Sequence, residues 1–179
     1  MISISLCMIV KNEEDVIGRC LACVKDIVDE IIVVDTGSTD STIEIVKKYT
    51  NQIYHFNWVD DFSKARNYAF SKASKDYIMW LDADDIILEN DLTNLKQLKN
   101  NLDTSIDMVM MKYNVAFDEH DNPTLSYYRE RLMSRKRNYQ WVSPIHEVIP
   151  PSGNIIYSDI AIAHKKLHPS DKNRNLKIF

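Results

Sequence analysis

The sequence predicts an α/β fold, a mostly parallel central sheet flanked by helices with a smaller mixed-sheet extension in its second part. Three observations lead there. Apolar runs at residues 3–10, 30–34 and 77–81 are too short and too β-branched for helices and do not alternate with polar residues. Helical patterns stand between them, so the strands are covered on both faces and run parallel. Beyond about residue 106, strand-like runs at 108–115, 124–133 and 155–163 follow one another without long helices, which predicts the mixed extension.

The elements follow in order. Residues 13–24 read as a helix, with Val16, Ile17, Cys20, Val24 and Ile27 at helical spacing, so Cys20 belongs to a buried stripe. Residues 41–49 read as a second helix, where Ser41 and Glu44 have the spacing of a capping box. A short strand is expected at 53–56, then a helix over 63–73 with Phe62, Ala65, Ala69 and Ala73 on one side. Residues 91–102 form the next helix. Residues 171–179 start another, with Leu176, Ile178 and Phe179 apolar and no stop signal, as in a chain truncated before a C-terminal region.

Bulk properties narrow the function. The chain has 179 residues, enough for one domain, and its 45% hydrophobic and 27% charged content is that of a globular protein. A net charge of -4 gives no electrostatic reason to expect a nucleic-acid partner. No apolar run approaches the roughly 20 residues of a transmembrane helix, and the N-terminus does not read as a signal peptide, so a cytoplasmic location is expected. Three cysteines without a secretory signal are expected to be free thiols, and the Cys20–Cys23 pair lacks the second pair a zinc site needs.

Polar residues gather where the strands end. The first strand runs into Lys11-Asn12-Glu13, the second into Asp35-Thr36-Gly37-Ser38-Thr39-Asp40 and the third into Asp82-Ala83-Asp84-Asp85. Ligands of open parallel sheets bind beyond such carboxyl ends. Ordinary turn chemistry accounts for the middle segment. It accounts poorly for three carboxylates in four residues beside a buried strand, which repel one another unless a cation sits among them. In an extended segment Asp82 and Asp84 point to one side, and oxygen ligands favour Mg2+ or Mn2+. An EF-hand loop is disfavoured, because Ile87 stands where its glycine belongs. Three glycines leave no room for a dinucleotide fingerprint or a Walker A loop. A phosphatase with an aspartyl nucleophile fits badly, since its motif follows the first strand.

Five segments then carry a resemblance: residues 7–14 (CMIVKNEE), 32–40 (IVVDTGSTD), 61–67 (DFSKARN), 80–85 (WLDADD) and 141–147 (WVSPIHE). Together they resemble the second family of glycosyltransferases, inverting enzymes of the GT-A fold. The resemblance is to the bacterial branch often followed by tetratricopeptide repeats, which includes peptide S-glycosyltransferases of glycosylated bacteriocins, and it covers nearly the whole chain. It implies a single GT-A catalytic domain over 1–179, with a nucleotide-binding half at 1–105 and an acceptor half at 106–179. It implies an Mn2+- or Mg2+-assisted transfer from a nucleoside-diphosphate sugar, a UDP-sugar, to an acceptor peptide, glycan or lipid-linked saccharide.

The resemblance also implies roles for residues. Val10, Lys11, Asn12, Glu13 and Asp35 hold the nucleoside, and Arg66 faces the nucleotide. Asp82, with Ala83 beside it, lies near the ribose or sugar, while Asp84 ligates the metal. Glu147 matches the general base; His146 beside it is either catalytic or a loop histidine bonded to backbone. His164 completes the metal or diphosphate site, and Lys172 and Arg174 either clamp the phosphates or belong to a solvated helix start. The family commonly has Gly where this chain has Ser143, which puts the loop presenting Glu147 in question. The alternatives are a nucleotide-sugar-binding module without transfer and, further off, a metal-dependent phosphatase.

Overall fold

The computed structural model describes residues 1–167. Strands and helices alternate through β1 (Ile4–Val10), α1 (Ile17–Val24), β2 (Glu30–Asp35), α2 (Thr42–Val46), β3 (Ile53–His55), α3 (Phe62–Phe70) and β4 (Tyr77–Trp80). A short β5 (Asp85–Ile87) and α4 (Glu89–Asn101) follow, then three strands without an intervening α-helix, β6 (Met108–Phe117), β7 (Pro123–Ser134) and β8 (Ile155–His164). Lys172 and Arg174 lie outside the described residues.

All eight strands form one sheet in the order β3-β2-β1-β4-β7-β6-β8-β5. The first four run parallel, and β1, β2 and β4 are largely buried on both faces. β7 joins β4 and β6 antiparallel, while β6 and β8 run parallel, giving the mixed extension. One face packs on α1 and α4 through Leu6, Ile17, Cys20, Leu95 and Tyr113; the other packs on α3 through Trp80, Ala69 and Trp141. The α1 stripe is buried as its spacing predicts, with Cys20 0% exposed, and the three cysteines are free. No helix among the described residues is long and apolar enough to cross a membrane.

Three local expectations are corrected. Helix α1 begins at Ile17, because residues before it form a turn in which the Glu13 carbonyl accepts the Val16 and Ile17 N–H groups. The Ser41–Glu44 capping box does not form, since Ser41 makes no side-chain cap. Asp40 supersedes it: its Oδ1 accepts the Thr42 N–H at 3.0 Å and the Thr42 hydroxyl at 2.6 Å. The acidic run is a turn, closed by the Asp85 N–H on the Asp82 carbonyl at 3.1 Å. Asp85 then opens β5 opposite His164. The extended arrangement that would align Asp82 with Asp84 is therefore absent.

Sheet register decides where the functional groups fall. Val10 of β1 stands beside Asp35 of β2, and Cys7 beside Trp80 of β4. The three polar segments consequently leave the same edge of the sheet. Within the β6–β7 pair, Val109 faces Leu132 but Met110 faces Glu130, so Arg131 is the extra residue of a β-bulge. Bulges re-aim side chains, and this one turns Arg131 into the interior, where it is 0% exposed.

Candidate active site

Two linked clusters occupy that edge. In the first, Arg66 of α3 bridges two carboxylates: Nη2 donates to Asp82 Oδ1 and Nε to Glu147 Oε1, both at 2.8 Å. Its guanidinium lies 4.9 Å from the Trp80 ring and 4.7 Å from the Trp141 ring, and the residue is buried. Burial alone disfavours the charge, but Asp82 and Glu147 outweigh it, so Arg66 holds its proton more tightly than a free arginine. Asp82 is in turn kept well below the usual carboxylate range: burial pushes it up, and the charge of Arg66 overrides that.

The loop carrying Glu147 is gripped from both sides. Asn67 donates to the Trp141 carbonyl at 3.0 Å and accepts its N–H at 2.8 Å. Val142 and Val148 exchange backbone hydrogen bonds, closing the loop at its base. Arg129, paired with Glu130, donates to the Glu147 carbonyl at 3.2 Å. The Arg66-Asn67 pair thus holds the Glu147 loop as well as the Asp82 side of the cleft. His146 is exposed at φ 53, with no side-chain hydrogen bond to the described residues. Ser143 adopts φ 77, the left-handed region that favours glycine. Ser143→Gly is expected to stabilise the fold by about 1 kcal/mol, seen as a Tm rise of roughly 2–4 °C by calorimetry. A lowered Tm would mean the serine is stabilising its loop.

The second cluster is built on Asp85. Its Oδ2 accepts from Arg131 Nη1 at 2.9 Å and from the Asp82 N–H at 3.0 Å. Its Oδ1 lies 3.0 Å from the Tyr113 hydroxyl and 3.1 Å from His164 Nδ1. Four partners use the lone pairs of a carboxylate that is 0% exposed. Arg131 is held between the rings of Trp80 at 3.6 Å and Tyr113 at 4.3 Å. His164 Nδ1 also lies 3.2 Å from Asp84 Oδ1. Burial pulls the His164 pKa down, but hydrogen bonds to Asp84 and Asp85 win and raise it to about 9. Tyr113 is pushed far up, by burial first and then by the charges of Asp82 and Asp85, so its hydroxyl stays protonated.

Could this cluster hold a divalent cation? Asp82, Asp85 and His164 bring ligand-type atoms within 4.8 Å of one another. The donor set therefore fits Mn2+ or Mg2+. Asp85 already has four partners and Asp82 Oδ1 is held by Arg66, so Asp84 and the Nε2 of His164, which makes no hydrogen bond to the described residues, are the freest donors for a cation. Such binding has to displace the His164 proton.

The remaining predicted residues line the neighbouring strand ends. Val10 is buried and Lys11 exposed. Asn12 stands at φ 54 and accepts the Thr39 N–H at 2.8 Å, tying the first two segments together. Glu13 donates its N–H to Thr42. Asp35 accepts the Ser38 N–H at 2.9 Å, and Ala83 is buried under the acidic turn. Sequence reasoning missed Tyr113, Arg129, Glu130 and Arg131. A bulge position and cross-strand neighbours carry no local pattern that reveals them.

The chain matches the model of glycosyl transferase family 2 over residues 5–160 and belongs to that family. It is 38% identical over 153 residues to a TPR repeat-containing protein of Synechococcus elongatus, covering 85% of this chain and 36% of that one. It is 35% identical over 116 residues to the SPbeta prophage-derived glycosyltransferase SunS of Bacillus subtilis, covering 63% of this chain and 28% of that one. The chain thus spans about a third of the length of these relatives. Among solved structures, residues 1–349 of TarS from S. aureus in complex with UDP-GlcNAc superpose with a TM-score of 0.66 at 16% identity, covering 94% of this chain and 60% of that one. The α/β fold is the GT-A type that the sequence predicts.

Proposed function

We propose that this chain is an inverting glycosyltransferase that moves a sugar from a nucleoside-diphosphate sugar, a UDP-sugar, to an acceptor peptide, glycan or lipid-linked saccharide in the cytoplasm. One observation carries the reading: a single buried guanidinium, Arg66, joins Asp82 at the nucleotide-side strand end to Glu147 on the facing loop. Donor-holding and acceptor-activating groups thereby share one cleft. In this reading residues 1–105 bind the nucleotide and the remainder serves the acceptor.

Val10 to Glu13 and Asp35 line the nucleoside end, and Asp82 faces the sugar. Asp84 and His164 hold Mn2+ or Mg2+, which supplies positive charge against the developing negative charge of the leaving diphosphate. Glu147 is bonded to Arg66 through Oε1, while Oε2 makes no hydrogen bond with the described residues. That oxygen takes the acceptor proton as the acceptor attacks the anomeric carbon. The new bond forms on the face opposite the breaking bond to the diphosphate, whose oxygen keeps the electron pair. Inversion follows.

Titration of UDP with and without Mn2+ tests the donor half. Mn2+ is expected to tighten UDP binding, and Asp84→Ala to weaken that gain by on the order of 100-fold, at or beyond the effect of losing an outer-sphere group. UDP binding that ignores both the metal and the substitution would remove the site.

A further inference from the structure

The second cluster contains a group with no role in the transfer just described. Tyr113 comes from the middle of β6, beside Ile162 of β8 and Tyr127 of β7. Its ring packs edge-on against Tyr127 at 5.8 Å and against the His164 ring at 5.5 Å, with the Arg131 guanidinium 4.3 Å away. The hydroxyl is 2.8 Å from His164 Nδ1 and 3.0 Å from Asp85 Oδ1. A side chain so clamped is restrained, and its hydroxyl orients the two groups it touches.

We propose that Tyr113 is a positioning residue for the cation centre: its hydroxyl donates to Asp85 Oδ1 and accepts from His164 Nδ1–H, locking both groups and leaving His164 Nε2 to face the cation. The proposal rests on the reading of Asp84 and His164 as cation ligands. Its chain of support runs outward: Arg131, installed by the β-bulge, holds Asp85 Oδ2, and Tyr113 ties Asp85 Oδ1 to His164. Groups that orient a ligating histidine set metal affinity as strongly as they do because they remove the freedom the ring would otherwise lose on binding. Sequence alone offers no hint of this. Tyr113 lies 28 residues from Asp85 and 51 from His164.

The test is Mn2+ binding followed by electron paramagnetic resonance in the presence of UDP, with Tm measured on the same samples. Tyr113→Phe keeps the ring and removes the hydroxyl, so Mn2+ affinity is expected to fall about 10-fold. Tyr127→Phe serves as the comparison: it alters a ring that packs on Tyr113 without touching His164 or Asp85, and should leave Mn2+ affinity unchanged. If Tyr113→Phe lowers Tm yet binds Mn2+ like the wild type, the hydroxyl is merely structural and the proposal is overturned, while the cation reading stands. Equal losses in both phenylalanine variants would likewise overturn it, because general packing would then explain the effect. A wild-type chain that binds no Mn2+ with UDP overturns the cation reading and this inference with it.

Discussion

Replacing Glu147 with Gln is expected to lower sugar transfer by about 10²–10⁴-fold, the span typical for loss of a positioned general base. Gln keeps the shape and an oxygen that accepts from Arg66 Nε, so the 2.8 Å contact has a substitute and the loop retains its grip. What disappears is the capacity to take a proton. UDP and Mn2+ affinities should therefore stay within about twofold, since neither is asked to contact Glu147 and a twofold change is well below one hydrogen bond. The measurement is UDP release from a panel of nucleotide sugars, with water or supplied acceptor, beside a UDP titration of the same samples. Transfer that survives Glu147→Gln within tenfold would exclude this residue as the base and turn attention to His146. Loss of donor binding together with transfer would mean that the substitution has collapsed the cleft.

The strand ends were legible in the sequence because a buried parallel strand is apolar throughout, so the first polar residues mark its edge. Asp82, Asp35 and Asn12 were found that way, and the structure brings their segments to one side of the sheet. The conformation of the acidic run was not legible. Its spacing suits an extended chain, yet tertiary partners turn Asp85 inward onto Arg131 and His164. Arg131 in sequence is one charge in a strand of mixed polarity; only the slip of register against β6 shows that it points inward. Ser41 and Glu44 have the right spacing for a cap, but Ser41 makes none and the Asp40 carboxylate accepts the Thr42 N–H instead. Ser143 shows the reverse. Comparison with the family's glycine flagged the position, and its φ of 77 is the glycine-favouring conformation kept despite the side chain.

Arg66→Met is expected to cost stability as well as activity. The methionine fills much of the slot between Trp80 and Trp141 but leaves Asp82 and Glu147 without their shared cation. Removing one partner of a buried ion pair costs about 3–5 kcal/mol. Here Asp82 retains 31% side-chain exposure and Glu147 14%, so the lower end, about 3 kcal/mol, is the expected cost. That corresponds to a Tm drop of roughly 6–12 °C for a chain of this size. Arg66→Lys restores the charge without the two-point fork or the planar stacking, and should recover part of the stability but little of the activity. The decisive measurement is a double-mutant cycle with Glu147→Gln. Because Gln carries no charge to be stranded, the Arg66→Met penalty should shrink by about 1–3 kcal/mol in that background. Penalties that add within about 0.5 kcal/mol would show that Arg66 and Glu147 act independently. The cleft would then lack the link on which its reading as a single transfer site depends.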